Sequence, residues 1–198
     1  MIPAFTTTAL LVIDMQNGFC SPRGSMARIG TNVSAFTAAV AEVSPLVAAA
    51  RARGVTVTFT KHCYPDGYPH PGIEIRKLHP RLVQEGGLLA RTWDSDIVDE
   101  LTPQTGEQVL EKDRYDAFLG TDLHDILRRA AITELVLAGV ATNSCVESTA
   151  RTAAQLDYDV VVAADATAAT SPELHHGSLR AIEYGFGSVR LWRQIFTT

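Results

Sequence analysis

The sequence predicts an α/β fold in which a mainly parallel sheet is covered by helices on both faces. Short apolar segments alternate with segments of helical periodicity, a pattern typical of parallel strands joined by crossover helices. The apolar run at residues 9–15 is almost continuous, as expected for a strand that is buried on both faces. No repeat, low-complexity tract or linker interrupts the chain, so we expect residues 1–198 to form one domain.

Six segments are predicted as strands. They are rich in β-branched and other apolar residues, and polar or turn-forming residues separate them from their neighbours. The predicted strands are residues 9–15, 55–61, 108–112, 134–140 and 159–165, with an edge strand within 187–192.

Helical periodicity predicts the connections between these strands. The first helix should span residues 32–53 and end at Gly54, with Pro45 kinking it or starting a new turn. The others are predicted at residues 121–130 with Thr121 as N-cap, at 145–157 directly after a strand, and at 171–185 with Ser171 and Pro172 at its start.

Residues 62–96 depart from this alternation. The segment holds the Gly86–Gly87 pair and four of the nine prolines, namely Pro65, Pro69, Pro71 and Pro80. It can be explained as a surface excursion with a short helix at 73–79. Long irregular segments are uncommon in compact domains unless they cover or shape a site, and we favour that interpretation.

Composition argues against several classes of function. The formal net charge is −5 and no cluster of Lys and Arg offsets it, which disfavours nucleic acid or an anionic membrane as a partner. We identify no secretion signal and no apolar stretch of membrane-spanning length. Three cysteines at unrelated spacings do not suggest disulfides or a zinc site, so a reducing cytoplasm is expected.

Three reactive residues lie at the predicted ends of strands, where sites form in open α/β sheets. Asp14 ends the first strand, Lys112 ends the third, and Cys145 follows the fourth. A nucleophilic thiol needs a base and a nearby positive charge, which Asp14 and Lys112 can supply. Free N–H groups at the start of a helix would favour the Cys145 thiolate and could hold an oxyanion. Each residue also has a structural alternative: turn former, solvated charge and small buried side chain.

Three segments resemble the signature motifs of the isochorismatase-like cysteine hydrolases. They read LLVIDMQNGFC, VLEKDRYDAF and GVATNSCVESTARTA, and the resemblance extends from Ala9 to about Gly187. It implies a three-layer α/β/α sandwich with a mainly parallel central sheet. The superfamily includes nicotinamidases and hydrolases of biuret, N-carbamoylsarcosine and ureidoacrylate. The run TWDSDIVDEL looks most like the branch that hydrolyses ureido and carbamoyl compounds.

The resemblance implies specific roles for residues of this chain. Asp14, Lys112 and Cys145 would form a catalytic triad, and a cis peptide at Val140–Ala141 would place the Ala141 and Cys145 N–H groups as an oxyanion hole. The run His62–Cys63–Tyr64 lacks the Asp-x-His pair of metal-binding nicotinamidases, so we expect no metal and no other cofactor. The retained cysteine favours C–N hydrolysis over the vinyl-ether cleavage of isochorismatases.

Four further residues are candidate substrate contacts. Phe19 follows the Asp14 motif and Tyr115 follows Lys112, so both could form walls of a pocket. His62 at the end of the second strand could bond a polar substrate group, and Trp93 could belong to a lid. For each of the four, packing in the core is the alternative.

The sequence as a whole predicts a cofactor-independent cysteine hydrolase acting on a small amide, ureido or carbamoyl compound. Alternatives are a nicotinamide-like amide, lactam or cyclic imide as substrate, or a non-catalytic thiol-sensing domain. A nucleotide binder is disfavoured because neither a G-x-G-x-x-G motif nor a P-loop is present. By resemblance, a homodimer or homotetramer is expected.

Overall fold

A six-stranded, all-parallel sheet forms the centre of the computed structural model, which describes residues 5–70 and 72–196. The strands lie in the order β3-β2-β1-β4-β5-β6. This confirms the predicted α/β class and parallel sheet. The strands are β1 (Thr8–Ile13), β2 (Thr56–His62), β3 (Gln108–Lys112), β4 (Glu134–Val140), β5 (Asp159–Ala168) and β6 (Ser188–Arg190).

The strand order reverses between β1 and β4, and this reversal determines where the site lies. From β1 the chain moves outward through β2 and β3, and it then returns to place β4 on the other side of β1. The carboxyl ends of parallel strands share one edge of the sheet, and a crevice opens where the order reverses. The residues that follow β1, β2, β3 and β4 therefore meet at this edge.

Helices cover both faces of the sheet. Alternate residues of β1 divide between two hydrophobic clusters: Leu10 and Val12 pack on one face, and Leu11 and Ile13 on the other. The helices are α1 (Asn17–Cys20), α2 (Ser25–Arg28), α3 (Ser34–Ala52), α4 (Pro80–Gln84), α5 (Leu123–Arg129), α6 (Glu147–Gln155), α7 (Pro172–Gly185) and α8 (Trp192–Ile195). Apolar residues on both faces explain why the sequence of β1 is an almost continuous apolar run.

The long helix α3 continues through Pro45, and the kink or new turn at this residue stays a prediction. The helix also reaches the length and apolarity of a membrane span, although no such segment was expected. Residues on one side of α3, including Val43, Leu46 and Val47, are buried against the sheet, as in a core helix.

Two helix starts also differ from prediction. A π-helical turn, Thr142–Val146, separates β4 from α6, so Cys145 lies in that turn and not in the first turn of the α-helix. The N-cap of α5 is Asp122, while the Thr121 hydroxyl accepts a bond from the Leu123 N–H at 3.3 Å. The prediction for α7 is confirmed, because the Ser171 hydroxyl accepts from the Leu174 N–H.

The irregular segment 62–96 folds through short turns that polar side chains hold in place. It contains a π-helical turn, Glu74–Leu78, and the helix α4, while the predicted position Pro71 lies outside the described residues. The buried Asp94 carboxylate accepts bonds from the Ser25 N–H (2.8 Å), the Ser25 hydroxyl (2.6 Å) and the Leu88 N–H (2.7 Å). These bonds attach the segment to the start of α2.

Candidate active site

Asp14 is positioned by the turn that ends β1 and by the neighbouring strand. Its φ of 52° lies in the left-handed region, which turns the chain directly after the strand. The Asp14 N–H donates to the Thr60 carbonyl at 3.3 Å, and the Thr60 hydroxyl donates to Asp14 Oδ1 at 2.6 Å. Residues of β2 thereby orient the carboxylate of Asp14, which directly follows β1.

Lys112 forms a fully buried ion pair with Asp14. The Nζ–Oδ2 distance is 2.6 Å, and both side chains have no exposed surface. Lys112 Nζ also donates to the Arg114 carbonyl at 3.0 Å. Burial is the largest single influence on the pKa of Lys112 and lowers it, but the charge of Asp14 and the other contacts of the ammonium together raise it by more, so the ammonium stays protonated. A buried ion pair generally contributes little net stability, so stability alone does not account for this pair.

Cys145 lies beside this pair. Its Sγ, a carboxylate oxygen of Asp14 and a ring nitrogen of His62 all lie within 4.8 Å of one another. Burial raises the pKa of the Cys145 thiol well above its ordinary value, and the Lys112 charge opposes this only in part. The resting group is therefore a thiol, and attack by the sulfur needs a base.

The backbone between β4 and Cys145 is tightly constrained. The Val140–Ala141 peptide bond is cis. The Ala141 carbonyl accepts from the N–H groups of Ser144 (3.0 Å) and Val146 (3.2 Å). Both Ala141 and Cys145 line the adjacent cavity.

A cavity of about 410 Å³ opens next to the thiol. Among the predicted contacts, Phe19, His62 and Tyr115 line it, whereas Trp93 lies elsewhere. The Trp93 side chain is 46% exposed, and the Arg23 guanidinium lies 5.2 Å from its ring centroid. The lining residues are Phe19, Met26, Thr31, Asn32, Phe36, His62, Glu74, His79, Tyr115, Ala141, Asn143, Ser144, Cys145 and Thr170.

A hydrogen-bonded chain that the sequence did not suggest connects the thiol to Glu74. His62 Nδ1 lies 4.0 Å from Cys145 Sγ, and His62 Nε2 lies 2.8 Å from the Tyr64 hydroxyl. The Tyr64 hydroxyl donates its proton to Glu74 Oε2 at 3.0 Å, so in its contact with His62 it must be the acceptor. His62 therefore carries its proton on Nε2. Its Nδ1 is then unprotonated and is an acceptor that faces the sulfur. Burial lowers the pKa of His62 well below its ordinary value, and the charges of Lys112 and Arg114 add to this effect.

Tyr64 and Glu74 had no recognisable signal in the sequence. Both belong to the irregular segment 62–96, where neither helical nor strand periodicity indicates which side chains point inward. The backbone of His62 is held by Gln16, whose side chain accepts from the His62 N–H at 2.7 Å and donates to the carbonyls of His62 and Ser95. Gln16 thus ties the first motif to the irregular segment.

The distances among Asp14, His62 and Cys145 would also suit ligands of a metal ion. The Lys112 ammonium already lies 2.6 Å from the Asp14 carboxylate. A divalent ion bound to these ligands would therefore lie beside a buried positive charge, which opposes its binding.

Comparison with known proteins agrees with this geometry. The family model of the Isochorismatase domain matches residues 8–194. Ureidoacrylate amidohydrolase RutB of Serratia proteamaculans is 39% identical over 196 residues, which cover 92% of this chain and 78% of that protein. The protein of the same name from Pantoea ananatis is 40% identical over 194 residues, with the same coverage.

Solved structures show the same architecture. A cysteine hydrolase from Pseudomonas syringae pv. phaseolicola superposes with a TM-score of 0.86 at 28% identity, covering 99% of this chain and 94% of that one. N-carbamoylsarcosine amidase from Thermoplasma acidophilum gives a TM-score of 0.76 at 27% identity, with coverages of 94% and 96%. The extent of the family match and of these similarities shows that the chain belongs to the isochorismatase family.

Proposed function

We propose that the protein hydrolyses a C–N bond of a small amide, ureido or carbamoyl compound through a covalent intermediate on Cys145. The class of reaction, that of an amidohydrolase, is supported by relatives about 39% identical over most of the chain. The covalent route is supported by one observation above all. The buried Asp14–Lys112 pair lies within reach of a buried thiol that lines a cavity.

Asp14 acts first as a base. It accepts the Cys145 proton as the sulfur attacks the substrate carbonyl, so the thiolate exists mainly during attack. Its second carboxylate oxygen stays bonded to the Thr60 hydroxyl, which keeps the acceptor oriented. Lys112 stabilises the negative charge as it moves between carboxylate and sulfur.

The N–H groups of Ala141 and Cys145 hold the oxyanion of the tetrahedral intermediate. Each donor of this kind contributes about 3 kcal/mol in comparable enzymes. When the C–N bond breaks, Asp14 returns the proton to the leaving nitrogen, and ammonia or an amine departs. A thioester or thiocarbamate remains on Cys145. Water that transfers a proton to Asp14 then releases the product and restores the thiol.

The test is ammonia release from ureidoacrylate, biuret, N-carbamoylsarcosine, nicotinamide and a lactam-derived amide, with and without a chelator. We expect turnover of a ureido or carbamoyl compound that Cys145→Ala and Cys145→Ser both abolish and that the chelator leaves unchanged. Cys63→Ala is the matched control, because that thiol is also buried but does not line the cavity beside Cys145. Wild-type turnover by Cys145→Ser would contradict the covalent route.

The proposal also covers the oligomeric state, the cellular location and the partners of the enzyme. We expect a homodimer or homotetramer in the cytoplasm that binds a small-molecule substrate and neither nucleic acid nor a membrane. The exposed apolar side chains Leu174 and Tyr184 of α7, the latter 95% exposed, are available for a subunit contact. Light scattering of the purified protein measures the assembly, and a monomeric mass would contradict this part.

A further inference from the structure

The charges around the cavity constrain the substrate. Among its lining residues within 5–70 and 72–196, none is Lys or Arg. Two histidines, His62 and His79, do line it, but burial lowers the pKa of both, so they are neutral at neutral pH. The carboxyl group that faces the cavity is Glu74. The lining therefore offers an acid and no permanent positive charge.

The two cations whose charges act on the lining residues His62 and Glu74 are already paired. The Lys112 ammonium lies 2.6 Å from Asp14. Arg114 bonds Asp113, with Nη1 3.1 Å from Oδ2, and its guanidinium lies close to the backbone at Gly72. A substrate carboxylate could attract either cation only by competing with its existing partner, and Asp14 cannot be displaced without loss of the proposed base.

Glu74 has unused capacity to accept hydrogen bonds. Its side chain is 13% exposed and its Oε2 accepts from the Tyr64 hydroxyl at 3.0 Å, while His62 Nε2 lies 3.4 Å away. The Tyr115 hydroxyl interacts with the same carboxyl. A carboxylate offers about four lone-pair sites on two oxygens, so sites remain free. Burial raises the pKa of Glu74 to about 7. The hydrogen bonds and charges around the ionised carboxylate therefore do not fully replace the hydration that it loses on burial.

We propose that Glu74 is a specificity-determining residue that selects an amide, ureido or carbamoyl substrate whose far end donates hydrogen bonds and carries no carboxylate. The proposal rests on the function proposed above, because it places the scissile carbonyl at Cys145 in the same cavity. A hydroxyl, amino or ammonium group would complete the bonding of Glu74. Once Glu74 is ionised, above about pH 7, a substrate carboxylate would bring a second negative charge into a cavity whose lining holds no Lys or Arg.

Three matched ureas test this proposal: aminopropylurea, hydroxypropylurea and β-ureidopropionate. They carry the same scissile ureido group and differ at the far end, which is an ammonium, a hydroxyl or a carboxylate. For the wild type at pH 8, where Glu74 is ionised, we expect kcat/KM for the first two to exceed that for β-ureidopropionate by about tenfold or more, corresponding to one mispaired buried group. A preference for β-ureidopropionate would overturn the proposal.

Variants of Glu74 distinguish a role in substrate recognition from a purely structural role. Glu74→Gln should lower kcat/KM for aminopropylurea and raise it for β-ureidopropionate, and Glu74→Lys should reverse the preference. A purely structural role would lower all three values together and leave their ratios unchanged, which would contradict the proposal. Glu183→Gln, which removes an equal charge from an exposed position on α7, should leave the ratios unchanged.

Binding to Cys145→Ala keeps this test independent of turnover. We expect aminopropylurea and hydroxypropylurea to raise the melting temperature of this variant and β-ureidopropionate to leave it unchanged. If the three compounds bind in this order but the wild type hydrolyses none of them, the proposed reaction fails and the recognition by Glu74 stands. If none of them binds, or the carboxylate binds best, the inference about Glu74 fails.

Discussion

The site joins two regions that are built in different ways. Asp14, Lys112 and Cys145 follow strands of the central sheet, and their positions depend on the pairing of β1 with its neighbours. His62, Tyr64 and Glu74 begin at the end of β2 but continue into the irregular segment 62–96, where side-chain bonds replace a regular ladder.

This difference suggests a division of labour. A parallel sheet holds reactive groups rigidly, which suits a mechanism that depends on short distances such as the 2.6 Å between Asp14 and Lys112. The irregular segment can change its side chains without disturbing the sheet, which suits recognition of different substrates. If this division holds, substitutions at strand ends should abolish chemistry, and substitutions in the segment should change specificity or local stability.

The largest effect is expected for Asp14→Asn. The variant keeps the shape of the side chain but loses the proposed base, and general bases contribute roughly 10²–10⁴-fold to rate. We expect kcat to fall within this range, and the melting temperature should fall as well, because the buried Lys112 ammonium loses its charge partner. The exposed Asp159→Asn is the control. A loss below tenfold would show that another group takes the proton, with His62 the first candidate, since its Nδ1 lies 4.0 Å from the sulfur.

Lys112→Met tests how much the free energy of unfolding depends on the buried ion pair of the same region. The substitution leaves the Asp14 carboxylate buried without its partner, which typically destabilises a protein by about 3–5 kcal/mol. Urea unfolding should show this loss, and Asp14→Asn in the same chain should recover most of it. If the double variant is as unstable as Lys112→Met alone, the effect comes from lost packing of the Lys112 side chain and not from the unpaired charge.

Glu74→Gln should alter the dependence of stability on pH. The pKa of Glu74 is about 7 in the folded protein and 4.5 in its ordinary state. Between these values the unfolded chain has released the proton and the folded chain retains it, so the free energy of unfolding falls as pH rises through this range. The loss is complete above about pH 7.

Glu74→Gln removes this contribution, so the variant should gain stability relative to the wild type on going from pH 5 to pH 8. The gain should be up to about 3 kcal/mol, because each pKa unit corresponds to about 1.4 kcal/mol. Urea unfolding at both pH values measures it. If the difference in free energy of unfolding between the variant and the wild type is the same at pH 5 and pH 8, Glu74 has the pKa of an ordinary carboxyl group.

Asp94→Asn should weaken the attachment of the irregular segment. The amide that replaces one carboxylate oxygen leaves the N–H of either Ser25 or Leu88 without its acceptor, at a cost of about 1–2 kcal/mol. The urea midpoint should fall and KM should rise, with kcat less affected. The exposed Asp66→Asn, within the same segment, is the control. An equal fall in kcat would show that the segment also positions the reacting groups.

Several structural details follow from interactions that a linear pattern does not contain. The ends of β3 and β4 were predicted correctly, because apolar and β-branched runs mark a strand wherever its neighbours lie. The start of the helix after β4 was wrong because the π-helical turn at Thr142–Val146 depends on the backbone around Ala141. The raised pKa of Cys145 could not be predicted either, because desolvation depends on which elements close over the thiol.

The sequence by itself determined the fold class, the parallel strands and the three strand-end residues Asp14, Lys112 and Cys145. Periodicity and local motifs are properties of neighbouring residues, and the topology of a parallel sheet brings strand ends together. Only the tertiary structure decided that Glu74 and Tyr64 reach the site, and that Trp93 lies away from the cavity. In an irregular segment, side-chain direction depends on distant anchors such as Gln16 and Asp94, which no local pattern reveals.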